Sequence, residues 1–400
     1  MSAHPMLALL GLVLVGAAAP IGMAQEFPAP PRIGSPELPE TLSADAAKVA
    51  LERAYGWFLT NQKPDGSWAT GVLEGILEMG FSVETYYAWQ VASHGLAVSA
   101  LLSAEPTPEI EAALERAVDW LVTTRLPRRG SDWDVDYVWS ALYGLVATTQ
   151  AVSDNRFREG ERAAALGARG REFAAILAQN EVPSGGWAYY DDPPFTRRPK
   201  WATSFCTALV LPAVRDAIAR GWIEDEKMLE RAIRAVRRAA LPNGAYTYNA
   251  DEAVPRHGGG EHIDNVKGSL GRIQVCHFGL ASVGDERITA ERVRWGLEQF
   301  FLHHRFLRVA HGRPIPHEAY YYNAGYFYLF AHYYAAEAIE LLPDPAEREM
   351  WHAKLRPFLV EVQSERGSAV DFLRSGYMEL AGAAYLALAL RRGLPTTEPL

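Results

Sequence analysis

The chain has 400 residues, is 49% hydrophobic and 22% charged, and carries a formal net charge of -9. That length and apolar fraction suit a globular protein with a sizeable core, in one large domain or two ordinary ones. The acidic balance, with no long Lys/Arg run, argues against nucleic acid as a partner, because phosphate contacts need a basic face.

The first element is the apolar stretch "MLALLGLVLVGAAAPIGMA", which reads as a signal peptide over 1–24 with small residues Gly22 and Ala24 at the cleavage site. No Lys or Arg precedes it, so an uncleaved anchor is the competing reading, and only in that form does the chain partner a membrane. Either way the chain is expected in a secreted, periplasmic or cell-envelope location. Residues 25–42 are Pro-rich and read as an extended linker. No later segment is long and apolar enough to span a bilayer.

From residue 43 to 394 the chain repeats itself. "QKPDGSW" at 62–68, "RRGSDW" at 128–133, "PSGGW" at 183–187 and "LPNGAYTY" at 241–248 each place a tight turn before an aromatic ring. An amphipathic helix comes before each turn and a more apolar helix after it, as in "AAKVALERAYGWFLTNQ" and "ETYYAWQVASHGLAVSALL". Two further helix pairs follow without the clean turn, the fifth with its inner helix across "YYYNAGYFYLFAHYYAAEAIELL". Self-similarity at this period predicts a repeat architecture of six hairpins. Charged first helices have one wet face and apolar second helices are buried, so the pairs close most simply into an all-α double ring. An open solenoid needs polar end caps that are not evident. Asp-Gly and Gly-Gly supply the positive φ of the turns, and Gln62 is expected to accept the indole N–H.

"QKPDGSW", with "QNEVPSGGW" as a looser copy, resembles the QW repeat of the terpenoid cyclase and protein prenyltransferase superfamily. The closest likeness is to exported single-toroid bacterial proteins labelled prenyltransferase/squalene-oxidase-repeat proteins, with "GRIQVC" and "FAHYYAAEA" adding to it. The resemblance implies an (α/α)6 toroid. It also implies a place to look for an acid, since the cyclases use an Asp-x-Asp-Asp motif. Here the nearest stretch is Asp132-Trp133-Asp134-Val135-Asp136, with different spacing. Asp136 is the candidate acid; the local sequence favours turn roles for Asp132 and Asp134, with Asp134 or Asp136 capping the second inner helix.

No cofactor and no metal is expected. The zinc set of the prenyltransferases is not reproduced: Cys276 and His277 are adjacent and leave a helix about 100° apart. His257, Glu261 and His262 lie in a Gly-rich loop whose spacing fits no zinc signature. Cys206 and Cys276 read as two buried thiols, with a single bridge as the alternative.

If the inner helices line a cavity, the residues that open them are expected at its mouth. These are Tyr86, Tyr137, Trp201, Thr203 and Tyr377, with Cys276 and Tyr326 on helix faces nearby. Arg272, at the start of an apolar helix, is either a buried structural partner of Asp136 or Asp264, or an anion-binding group. By analogy with a toroidal polysaccharide lyase family, Tyr322 and Arg272 would be a base and a charge-neutralising pair. Three functions follow: a cavity for an apolar or isoprenoid-type ligand, bound and in an enzyme transformed; a carbohydrate-active enzyme such as a lyase; or a non-catalytic envelope scaffold.

Overall fold

The computed structural model describes residues 40–69, 81–130, 134–189, 200–251, 262–313, 315–372 and 376–394. The signal segment 1–24, most of the linker, Asp132, Trp133, His257 and Glu261 lie outside the described residues. Twelve helices longer than one turn are present among them: α1 (Ala44–Asn61), α2 (Val83–Leu102), α3 (Pro108–Thr123), α4 (Val138–Ser153), α5 (Gly160–Asn180), α6 (Ser204–Ala219), α7 (Lys227–Ala239), α8 (Leu270–Ser282), α9 (Ala290–Leu302), α10 (Tyr328–Ile339), α11 (Pro345–Glu361) and α12 (Gly376–Arg392). There are no β-strands among the described residues, only isolated bridges such as Ala240–Tyr246.

Local chemistry starts these helices where hydroxyl and carboxylate side chains take up the free N–H groups of a first turn. Ser82 Oγ accepts from Thr85 N–H at 3.1 Å, and Thr107 Oγ1 from Ile110 N–H at 3.3 Å with Pro108 at the first position. Asp344 does the same for α11, accepting from Ala346 N–H. Odd-numbered helices bury one stripe: in α1 it is Ala47, Ala50, Leu51, Ala54, Trp57 and Phe58. Even-numbered helices are buried nearly all round, and every residue of α10 is buried.

The even helices form a closed inner ring, α2 touching α4, then α6, α8, α10 and α12, which returns to α2. Closure is sealed by bonds between the two ends of the toroid. Leu42 N–H donates to Ala353 O at 3.0 Å, Gln363 Nε2 to Ala50 O at 2.8 Å, and Arg391 Nε to Ser103 O at 2.9 Å. The all-α (α/α)6 toroid is therefore the fold.

A belt of identical turns joins outer to inner helices. In the first, Lys63 N–H donates to Ser67 O at 2.7 Å and Gly66 N–H returns to Lys63 O at 2.9 Å. The same pair of bonds recurs at Val182–Gly186, Leu241–Ala245 and Ser364–Ser368. Each turn holds a glycine at positive φ: 90° at Gly66, 93° at Gly185, 85° at Gly244 and 97° at Gly367. A Cβ on Gly66 would sit 2.2 Å from Arg116 O, and one on Gly367 2.2 Å from Arg53 O, so the turns also press against the next outer helix.

Two expectations are corrected here. The sixth pair, read as lacking the turn, has it in full, hidden because "QSERGSA" follows the turn with Ser-Ala instead of an aromatic ring. Gln62 does not accept the indole proton either. Trp68 Nε1 donates to Phe58 O, and Trp187 Nε1 to Leu177 O, both at 2.8 Å and near the end of the preceding helix. Gln62 instead latches neighbouring repeats, donating to Gly66 O and Ala113 O and accepting from Arg116. Gln363 with Arg53 repeats this latch across the closure, and Glu181 with Arg231 replaces it by an ion pair.

Candidate functional site

Connections from inner to outer helices are short, as at 103–107 and 340–344, whereas those from outer to inner are long, as at 240–269 and 303–327. All the long connections therefore gather at the end where the inner helices begin. A cavity of about 600 Å³ opens there into the inner ring.

Its wall is built by helical periodicity. Trp89, Ala92, Ser93 and Leu96 form one stripe of α2; Met378, Ala381, Gly382 and Tyr385 form the matching stripe of α12. Trp139 and Tyr143 come from α4, Phe205 from α6 and Phe330 from α10. The long connections add Phe81, Tyr189, Tyr248, Ile315 and Phe372. The rings brace one another: Trp139 stacks on Tyr143 and on Tyr189, each at 5.7 Å, and Trp89 stacks on Tyr377 at 4.7 Å. Tyr143 and Tyr385 are joined by a short bond between their hydroxyls, and Tyr189 and Tyr248 by one of 2.7 Å.

Two carboxylic acids face this aromatic space. Asp136 stands just before α4 at φ 65°, a left-handed conformation that Asp tolerates better than most residues and that aims its side chain into the cavity. Asp136 is half-buried and lines the cavity. Burial pushes its pKa up to about 7, and a hydrogen bond from the Trp89 side chain opposes that shift. Asp371 is buried and also pushed well above the carboxylate range by desolvation, although Leu329 N–H, in the first turn of α10, approaches both its oxygens at 3.1 and 2.9 Å. His311 Nε2 lies 3.8 Å from Asp371 Oδ1. No Lys, Arg or His lines the cavity among the described residues.

Of the candidates read from sequence, Asp136, Tyr326 and Tyr377 line the cavity. The other seven do not, because the lining stripes sit on different helix faces from the residues that open each helix. Tyr86 is buried behind Trp89, edge-on to it. Tyr137 is buried and its hydroxyl accepts from Asn180 Nδ2. Trp201 tilts against the ring of Tyr248, and buried Thr203 donates its N–H to Trp187 O. Cys276 and Cys206 are free, buried thiols. Arg272 is buried behind the wall, where Nε donates to Tyr246 O at 3.0 Å and Nη2 to Ile263 O, with Asp264 at 3.8 Å. Its guanidinium lies over the Tyr248 ring, so it orders the segment that carries a wall residue rather than offering an anion site. Tyr322 is 51% exposed and lies on a separate polar recess of about 460 Å³, outside the cavity lining. The long inner helix expected from Tyr320 also begins later, at Tyr328, and Tyr321 and Tyr322 adopt φ 58° and 57°.

Sequence reading missed Trp89, Trp139, Tyr248 and Asp371. The spacing of Trp89 from Ser93 and Leu96 carried a signal, but a helix apolar on every side does not declare which face meets a cavity. Asp371 sits in "SAVDF" with no local signature at all.

No protein-family model matches the sequence, and no curated protein matches it. Solved structures do. The cellobiose 2-epimerase of Spirochaeta thermophila DSM 6192 superposes with a TM-score of 0.56 at 13% identity, over 87% of this chain and 96% of that one. The type II terpene cyclase MstE from Scytonema, in its apo form, superposes with a TM-score of 0.51 at 15% identity, over 88% of this chain and all of that one. A D-mannose isomerase gives 0.52 at 12% identity, over 86% and 97%. These likenesses are of fold, and they include proteins named for terpene and for sugar chemistry alike.

Proposed function

We propose that the central cavity binds an uncharged, isoprenoid-type polyene and that Asp136 acts on it as a proton donor. The observation that carries this reading is a carboxyl group whose pKa burial raises to about 7, facing an aromatic cavity whose described lining has no cationic side chain. A diphosphate ester would need cations that this wall does not offer.

The chemistry follows from the wall. The Asp136 carboxyl gives its proton to one carbon of a C=C bond, whose π electrons form the new C–H bond. The adjacent carbon becomes cationic. Ring faces of the kind that line this space attract a desolvated cation by about 2 kcal/mol each. The hydrogen bond from Trp89 stabilises the carboxylate left behind and partly offsets the burial that weakens Asp136 as an acid.

The test is direct. The full chain is incubated in D2O with all-trans-geranylgeraniol and, separately, with cellobiose, and products are read by mass spectrometry. Deuterium fixed on carbon in a rearranged polyene supports the reading. Epimerised sugar with an untouched polyene overturns it in favour of the carbohydrate alternative, for which the pair of wall carboxyls and the sugar-enzyme neighbours are the supporting features. Export remains a companion proposal, checked by whether the mature N-terminus is Gln25.

A further inference from the structure

We propose that Tyr326 and His317 form the proton-accepting end of the same cavity, taking a proton from the cationic ligand and passing it toward solvent. This step rests on the polyene reading above.

Tyr326 lines the cavity, and its hydroxyl lies 2.6 Å from His317 Nε2. The direction of that bond is fixed by the other ring nitrogen. His317 Nδ1 is 2.7 Å from the Tyr322 carbonyl oxygen. A carbonyl only accepts, so Nδ1 carries the hydrogen, and in the neutral imidazole Nε2 keeps its lone pair. Tyr326 is then the donor, and the pair is set to move a proton outward.

The backbone holds this arrangement against its own preference. His317, Tyr321 and Tyr322 have φ of 62°, 58° and 57°; with Asp136 they are the only non-glycine residues at positive φ among those described. Such residues cost on the order of 1–3 kcal/mol each. Three of them within six positions turn the Tyr322 carbonyl onto His317. Asp136 and His317 are thus themselves among the four, and Tyr322 supplies the carbonyl that fixes the His317 ring. His317 also lines the outer polar recess with Arg313, Glu318 and Tyr320, so its far side leads away from the cavity. Burial holds the Tyr326 phenol protonated, which suits a hydroxyl that gives up its proton only as it receives another.

The step balances. A C–H bond beside the cationic carbon breaks, and its electron pair becomes a new C=C bond. The released proton joins the Tyr326 oxygen as the hydroxyl proton moves to His317 Nε2. The positive charge ends on the imidazolium, which loses a proton to water. Asp136 supplies the proton that starts the sequence, and this pair removes the one that ends it.

Two measurements test the pair in the full chain. Nitrogen-15 NMR of the histidine rings is expected to show His317 as the Nδ1–H tautomer, with its Nε2 signal moved in Tyr326→Phe; an Nε2–H tautomer overturns the proposal. With geranylgeraniol as probe, Tyr326→Phe and His317→Ala are expected to shift the ratio of alkene to water-captured alcohol by at least about tenfold, in line with loss of a positioned base. Tyr326→Phe keeps the ring that packs on Phe327 and Phe372, so it separates chemistry from folding. An unchanged product ratio at intact turnover overturns this step alone. A wild-type chain that converts no polyene overturns the reading of the cavity and this step with it.

Discussion

The turn belt and the cavity mouth lie at the same end of the toroid, between the same pairs of helices, yet they are built differently. In the belt, strain is avoided: every positive φ falls on a glycine, the same two backbone bonds recur four times, and indole protons go to helix carbonyls. At the mouth, positive φ falls on Asp136, His317, Tyr321 and Tyr322, and burial raises the pKa of two carboxyl groups against aromatic walls. Regular geometry with glycine where it is needed marks a region selected for stability. Unfavourable backbone and desolvated acids, tolerated where a smoother solution exists next door, mark a region selected for chemistry.

The contrast is sharpened most by Asp136→Asn. Turnover of a polyene probe is expected to fall by about 10² to 10⁴-fold, while the melting temperature holds or rises because a desolvated acid is removed. A fall in stability with turnover intact would place Asp136 with the structural residues. Gly367→Ala should do the reverse. The new Cβ meets Arg53 O at 2.2 Å in a backbone at φ 97°, at the seam where the ring closes. A loss of about 2–4 kcal/mol in urea unfolding is expected, with product pattern unchanged in the folded fraction.

Acid also separates the two regions. His94 packs between Trp68 of the first turn and Trp120, and His277 lies edge-on to Tyr246 of the fourth. Burial lowers His94 to about 4, and lowers His277 and His332 to about 3. Each is neutral in the fold but protonates near 6.5 when unfolded. Their contribution is therefore whole above pH 6.5 and is lost on acidification, by about 1.4 kcal/mol per pH unit and residue. Asp136 runs the other way: its folded value of about 7 lies above its unfolded 3.8, so its contribution falls as pH rises between the two. Denaturation curves from pH 4 to 7 should show a net rise in stability with pH; His277→Gln should flatten the rise and Asp136→Asn should steepen it. The smallest effect is expected from Arg53→Ala, which removes an exposed partner of Gln363 and should cost less than about 1 kcal/mol.

The belt was largely legible in the sequence because its causes are local. Pro-Asp-Gly and Ser-Gly-Gly fix their turns with atoms a few residues apart, and the charged and apolar helices declare their sides through composition. The sixth turn escaped only because Ala369 stands where Trp68 stands in the first. The mouth was legible in part. Asp136, Tyr326 and Tyr377 were placed at the cavity, whereas Arg272 and Tyr322 were given roles that their positions behind and outside the wall do not support. A guanidinium at the start of an apolar helix looks alike whether it meets a ligand or two carbonyl oxygens.

What the sequence determined by itself is the alternation of one-faced and fully apolar helices with glycine turns between them, since propensity, periodicity and positive φ act over a few residues. What only the tertiary structure decided is which faces of the apolar helices line the central space, that Asp371 and Tyr189 stand around it with Asp136, and that His317 backs Tyr326. Those facts depend on ring closure between residues hundreds of positions apart, and on desolvation, which no single stretch of chain can impose on its own side chains.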